Sequence, residues 1–385
     1  MTTMQQVTAS AVSGKRLSSI DVLRGFTLAV MILVNTAGEW DHAYWPLKHS
    51  VWNGCTPTDL VFPTFLFLTG TSLVFSFRSR LARGVGKREL LLHTLQRSVI
   101  LFLIGVVLNG LPFFPLSTLR IYGVLQRIAL CYLCASALYL WNRRPAFLLS
   151  VTALLLVGYW VMMRWIPLPG GMLPVRDLPI LDPVRNWVAI IDRWMLPGRL
   201  YEGTRDPEGL LSTLPAIATV LLGVLTGLWL QTQRTIQEKS RWMLIAGTAL
   251  IAGGEMWNIW FPINKKLWTS SYVLFAAGIA LVALALCTWL IKDDGTAGRW
   301  SYPWRVFGTN AITAYVISEV LAIIIYVVHV PGSRPPITLK GYIFTHFFAS
   351  VFPPGMDSLL FAIAFVAVCF VPVWILYQRR IFIKI

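Results

Sequence analysis

Charge is the scarcest ingredient of this chain. Of its 385 residues only 13% are charged, and only 17 residues are acidic, where a soluble domain carries roughly a quarter charged. With 56% of the residues hydrophobic, this excludes an ordinary water-soluble fold. Cysteine is sparse as well. The five, Cys55, Cys131, Cys134, Cys287 and Cys369, are scattered, which excludes a disulfide framework. The CxxC at Cys131 and Cys134 has no second pair or His partner, so it reads as small-residue packing, and no metal is expected. Low-complexity tracts are absent. So are internal repeats, which weighs against many secondary-transporter folds. Residues 1–19 have no apolar core followed by a small-residue cleavage site, and they are expected to form a cytoplasmic tail ending near Lys15 and Arg16.

What the chain does have is long apolar runs, and a mean hydropathy of +0.65. They fall at about 22–37, 60–77, 90–109, 121–141, 146–166, 211–231, 242–261, 271–291, 304–328 and 357–377, most of them near the roughly 20 residues that cross a bilayer as a helix. The expectation is an all-α integral membrane protein of about ten spans forming one domain over 20–378, with residues 379–385 as a second tail. Residues 340–352 are too short to span and read as an interfacial or re-entrant piece.

Lys and Arg sort to one side of these spans. Arg78, Arg80, Arg83, Lys87, Arg88, Arg143, Arg144, Arg234, Lys239, Arg241, Lys292, Arg299, Arg305, Arg379, Arg380 and Lys384 share one side; Lys48, Arg120, Lys265, Lys266, Arg334 and Lys340 share the other. The positive-inside rule puts both termini in the cytoplasm. The formal net charge of +16 is thereby explained without nucleic acid. Residues 167–210, between the fifth and sixth spans, are expected to form a cap over the outer face.

Polar residues gather where they are costly. The stretch 34–70, VNTAGEWDHAYWPLKHSVWNGCTPTDLVFPTFLFLTG, places two His, three Trp, Asn35 and Asp59 between two membrane-grade runs. Inside the spans, where ionisable groups are usually paired or functional, two sets separate by depth. Towards the cytoplasm lie Asp21 and Arg24, one turn apart, with His93 and Arg97; Gln126 and Arg127 sit deeper. Towards the outside lie Asn35, His49, Asp59, Asn258, Asn264, Lys265 and Glu319, with Asp206 and Glu208 of a DPEG motif. This division suggests one ligand that enters phosphate-first from inside and reacts near the outside. Arg24, Arg97 and Arg127, with Gln126, suit a phosphorylated cofactor, guanidinium being matched to phosphate. Each residue also has a structural reading. Arg24 can pair with Asp21, Arg97 can snorkel, Asn35 can cap its helix, Asp59 can be a helix N-cap, and the DPEG acids can favour a helix N-terminus.

The segments SIDVLRGFTLAVMILVN (19–35), KHSVWNGCTPTDLVFPTFLFLTG (48–70), RIYGVLQRIALCYL (120–133), RDPEGLLSTLPAIATVLLGVLTG (205–227), INKKLWTSSYVLF (263–275) and FGTNAITAYVISEV (307–320) together resemble the transmembrane acyltransferase family of heparan-alpha-glucosaminide N-acetyltransferase and NagX-type bacterial proteins. The resemblance covers nearly the whole chain. It implies that cytosolic acetyl-CoA donates its acetyl group to an amino sugar such as glucosamine across the bacterial inner membrane. The family's reactive His falls on His49 and its essential Asn on Asn35. A homodimer is in keeping with the family.

Chemistry agrees with that implication. An amine attacking a thioester must lose a proton, for which His49 is suited, and His49 can alternatively carry the acetyl group itself. Asn35 can serve the oxyanion, and Asp59 can hold the imidazole or bind the acceptor's ammonium. Asp206, Glu208, Asn264, Lys265 and Glu319 are candidates to line the acceptor pocket. The rival reading is a permease for N-acetylglucosamine or its oligosaccharides; an acyltransferase acting on an envelope polymer would share the first reading's chemistry.

Overall fold

The computed structural model describes residues 17–196, 198–291, 298–331 and 336–383. Lys15, Arg16, Lys292, Arg334 and Lys384, which enter the charge pattern above, lie outside the described residues. The architecture is all-helical, and among the described residues the only β-type pairings are isolated bridges such as Gly54 with Asn264.

In chain order the helices are α1 (Ser18–Asn35), α2 (Val61–Ala82), α3 (Lys87–Gly110), α4 (Val124–Trp141), α5 (Pro145–Trp165), α6 (Trp187–Met195), α7 (Thr213–Leu230), α8 (Ile236–Asn258), α9 (Ser270–Leu290), α10 (Tyr302–Thr309), α11 (Ala311–Val327), α12 (Leu339–Ile343) and α13 (Met356–Gln378). Among the described residues eight helices are long and apolar enough to cross a membrane, and the bent pair α10–α11 makes a ninth if it is one span. The expected tenth, at 242–261, is present as the 23-residue helix α8. Glu238, Lys239, Arg241 and Glu255 dilute its apolar content, so its length is that of a span while its composition falls short. The run read as one span over 304–328 is bent by 78°. The break falls at Asn310, whose side-chain amide donates to the Ile381 carbonyl and accepts from the Ile383 N–H, at 3.0 and 3.1 Å.

Most of α2 and α7 is buried, whereas α3, α5 and α13 turn most of their surface outward. Lipid is as apolar as Leu, so helices associate in a membrane through close packing of small residues. Here α2 and α7 do so. A Cβ added at Gly70 would lie 2.0 Å from the Val220 carbonyl oxygen, and one at Gly223 would lie 2.0 Å from that of Phe67. Thr71 donates its hydroxyl to the Gly223 carbonyl at 3.1 Å. The GxxxG at Gly223 and Gly227 therefore packs inside the protomer.

Residues 340–352 are non-spanning, as expected: α12 runs into a π-helical turn, Phe344–Ala349, whose Phe344 and Phe348 stand edge-on to Phe361. The segment 167–210 contains α6, capped by Asn186, whose side chain accepts from the Ala189 N–H at 2.9 Å.

Candidate functional site

The loop between α1 and α2 ends in a single turn of 3-10 helix, Pro57–Leu60, and Asp59 stands at its third position. Its carboxylate is wholly buried, and its two oxygens have different partners. Oδ2 accepts from the Ser50 N–H at 3.1 Å, the Thr56 N–H at 3.0 Å and the Thr56 hydroxyl at 3.0 Å, a capping box with Thr56. Oδ1 faces Nδ1 of His49 at 2.7 Å. The sequence reading of Asp59 as partner of His49 is met by Oδ1, whereas its reading as a helix N-cap is corrected: the N-cap is Thr56, and Asp59 supplies the other half of the capping box from the third position.

A carboxylate only accepts, so Nδ1 of His49 carries a proton in this bond, and in the neutral ring Nε2 is the acceptor. The His49 side chain is 43% exposed while Asp59 is buried, which leaves the imidazole open to a ligand. Lys265 completes the group. Its Nζ lies 3.0 Å from Nδ1 and 3.4 Å from Nε2 of His49, and 3.6 Å from Asp59 Oδ1. With Nδ1–H given to Asp59, the ring atom open to a Lys265 proton is Nε2. Burial draws the Lys265 ammonium below the usual lysine range, against the pull of the Asp59 and Glu208 carboxylates. Cys55 is nearby, but burial and the Asp59 charge push its thiol up to about 12, so at neutral pH it is no thiolate nucleophile.

Asn264 is buried and holds the Lys265 turn in shape. Its amide donates to Asn53 Oδ1 at 3.2 Å and its oxygen accepts from the Leu267 N–H at 2.9 Å. The Gly54 N–H donates to the Ile263 carbonyl at 2.8 Å, so the His49 loop and the Lys265 turn are laced together. Tyr272 of α9 donates its hydroxyl to the Asp59 carbonyl at 2.6 Å.

Asp206 and Glu208 are gripped by Arg120. Its Nε and Nη2 donate to the two Asp206 oxygens at 2.7 and 2.6 Å, and Nη2 also reaches Glu208 at 2.6 Å. Asp192 of α6 is buried below the DPEG turn, accepting from the Asp206 and Leu210 N–H groups at 3.2 and 3.1 Å. Burial raises its carboxyl from 3.8 to about 6. Arg120 and Asp192 were not legible as site residues: one reads as an outer-loop charge, the other as a cap residue.

Among the described residues no hydrogen bond or ion pair joins the remaining candidates to His49. Asn35, exposed at the end of α1, and Glu319 line a cleft of about 40 Å³ together with Tyr315. Arg24 is held by Asp21 at 2.9 Å, by the Gly308 carbonyl at 3.2 Å and by the Ser72 hydroxyl. Arg97 lies 4.8 Å over the Tyr132 ring, its Nε without a hydrogen-bond partner among the described residues. Arg127 is wholly buried; one nitrogen donates to the Gly209 carbonyl at 3.0 Å and to the Ser212 hydroxyl, and among the described residues its Nε and Nη1 have no hydrogen-bond partner, nor has Gln126 Nε2. Among the described residues no three His, Cys, Asp or Glu side chains converge as a metal site requires.

Residues 16–261 match the family model described as "Heparan-alpha-glucosaminide N-acetyltransferase, catalytic". His49, Asp59, Asp206 and Glu208 fall inside that match; Asn264, Lys265 and Glu319 follow it. Heparan-alpha-glucosaminide N-acetyltransferase of Mus musculus is 33% identical over 361 residues, covering 80% of this chain and 54% of its own length. The Homo sapiens protein of the same name is 31% identical over 357 residues, covering 79% and 53%. The chain thus spans about half the length of the curated relatives it matches. With the family model matched across well over half the chain, this multi-pass membrane protein belongs to the heparan-alpha-glucosaminide N-acetyltransferase catalytic family.

Proposed function

We propose that the protein is a transmembrane N-acetyltransferase that moves the acetyl group of cytosolic acetyl-CoA to the amine of a glucosamine-like amino sugar at the periplasmic face. The observation that carries this reading is the exposed His49 imidazole paired at 2.7 Å with the buried Asp59 carboxylate, in a chain whose family is named for acetyl transfer.

In the direct route the amine nitrogen attacks the thioester carbonyl while His49 Nε2 takes its proton, and Asp59 stabilises the resulting imidazolium. The tetrahedral oxyanion needs donors; the Lys265 ammonium is the one nearest the imidazole, and the Asn35 amide is the second candidate. Collapse expels the CoA thiolate, which the imidazolium protonates. In the two-step route Nε2 attacks the thioester and takes the acetyl group as the C–S bond breaks and CoA leaves as its thiolate; the amine then attacks the acetyl-imidazole, the ring leaves, and the amine's proton passes to the thiolate. Either route uses the same Asp59–His49 tautomer.

Arg24 and Arg97 are the proposed partners of the CoA phosphates. The unpartnered N–H groups of Arg127 and Gln126 suit the polar arm of the donor, while Asp206, Glu208, Asn264 and Glu319 border the acceptor. The topology that goes with this function has α8 as a tenth span, both termini in the cytoplasm, 167–210 outside, and the bacterial inner membrane as location. A homodimer is the proposed assembly.

The test is calorimetric titration of detergent-purified protein with acetyl-CoA, followed by mass spectrometry for N-acetylglucosamine after adding glucosamine. Wild type is expected to bind and to form product; His49→Ala is expected to bind and form none. Absence of acetyl-CoA binding by folded wild type would overturn the transferase and favour the permease.

A further inference from the structure

The outer cap reaches the reactive pair through two residues that flank it. Trp52, three positions after His49, donates its indole N–H to the Leu181 carbonyl at 2.8 Å, and the Arg205 guanidinium lies 4.2 Å above its ring. Lys266, next to Lys265, pairs with Glu202 at 2.8 Å. Glu202 and Arg205 pair with each other at 2.5 Å. Arg205 is buried, and it also donates to the Pro183 carbonyl. The four side chains form one unbroken line from the His49 loop through the cap to the Lys265 turn.

The hub of this line is stiff. Glu202 N–H donates to the Arg205 carbonyl at 3.1 Å and Thr204 N–H to the Glu202 carbonyl at 2.9 Å, around Gly203 at φ +74°, a conformation that costs glycine little. Arg193 of α6 donates to the Thr204 carbonyl at 3.1 Å. The next residue, Asp206, is fixed by Arg120.

We propose that Glu202 and Arg205 are positioning residues, a clamp that sets the spacing of His49 and Lys265 by holding Trp52 on one side and Lys266 on the other. This rests on the acetyl transfer proposed for His49. Neither residue touches the imidazole; each acts through a neighbour of a reacting group. Without the clamp the His49 loop and the Lys265 turn keep the direct bonds at Gly54 and Asn264 but lose their common reference to the cap. A displacement of about 1 Å at a reacting pair can cost on the order of 100-fold in rate.

The experiment uses the full chain in detergent with Glu202→Gln, Lys266→Met and the double variant. Glu202→Gln is expected to lower kcat for glucosamine acetylation by about 10- to 100-fold with KM for acetyl-CoA unchanged. The double variant is expected to match the more impaired single one, as members of one contact line do. Hydrogen exchange read by mass spectrometry supplies the arm that needs no activity: protection is expected to fall in both 48–56 and 263–269 in either single variant. Unchanged exchange in both segments, or additive losses of kcat, would overturn the clamp. If wild type makes no product, the transferase reading fails while the exchange result still decides the clamp.

Discussion

Arg120 grips Asp206 through two parallel bonds of 2.7 and 2.6 Å, across 86 positions of sequence. Asp206 is 1% exposed, and that guanidinium is its salt-bridge partner. Arg120→Ala leaves a buried carboxylate without a counter-ion, at a cost of about 3–5 kcal/mol. The thermal unfolding midpoint in detergent is expected to fall sharply. Arg120→Lys, with no bidentate fork, is expected to fall between the two.

Asp59→Asn tests the division of labour between the carboxylate oxygens. An amide has one acceptor oxygen; kept on the Thr56 cap, it turns its NH2 towards Nδ1 of His49. The ring must then accept at Nδ1 and carry its proton on Nε2, which removes the base. Product formation is expected to drop on the order of 10²- to 10⁴-fold, while acetyl-CoA binding measured by calorimetry is retained.

Asp192 gives a pH prediction. Its carboxyl is raised from 3.8 to about 6 in the folded protein, chiefly by burial. Between those values the folded state binds more protons than the unfolded one, so this group's contribution to stability is present below about 4 and is lost as pH rises through about 6. The thermal midpoint of wild type relative to Asp192→Asn is therefore expected to decline from pH 4 to pH 6, then to level off. A difference that does not change with pH would count against the buried carboxyl.

Gly223→Val addresses the membrane core. The first side-chain carbon alone would meet the Phe67 carbonyl oxygen at 2.0 Å, and neither backbone can retreat without opening the α2–α7 contact. Overpacking of this kind costs about 1–3 kcal/mol or more. Size-exclusion chromatography is expected to show aggregated protein where wild type elutes as one peak.

Much of this molecule is written in its hydropathy. The apolar runs reappear as helices because a chain in lipid must satisfy its own backbone, and the polar stretch 34–70 does hold His49 and Asp59, ten positions apart and joined. Lys265 was legible as an outer polar residue and a candidate for the acceptor pocket; its place beside His49 depends on a tertiary contact between two loops. Arg120 gave no local signal, since its carboxylates lie 86 and 88 positions away. The 78° bend at Asn310 was invisible for a related reason. Its flanking residues stay apolar on both sides, so a hydropathy window runs straight through a break that the Asn310 side chain stabilises from a distance.

That break also has a consequence for the order of events on the ribosome. The two bonds that occupy the Asn310 amide come from residues 381 and 383, about seventy positions further on. While the chain is being synthesised, α10 and α11 therefore emerge before those partners exist. The two bonds that hold the kink can close only after α13 and the segment behind it have been made.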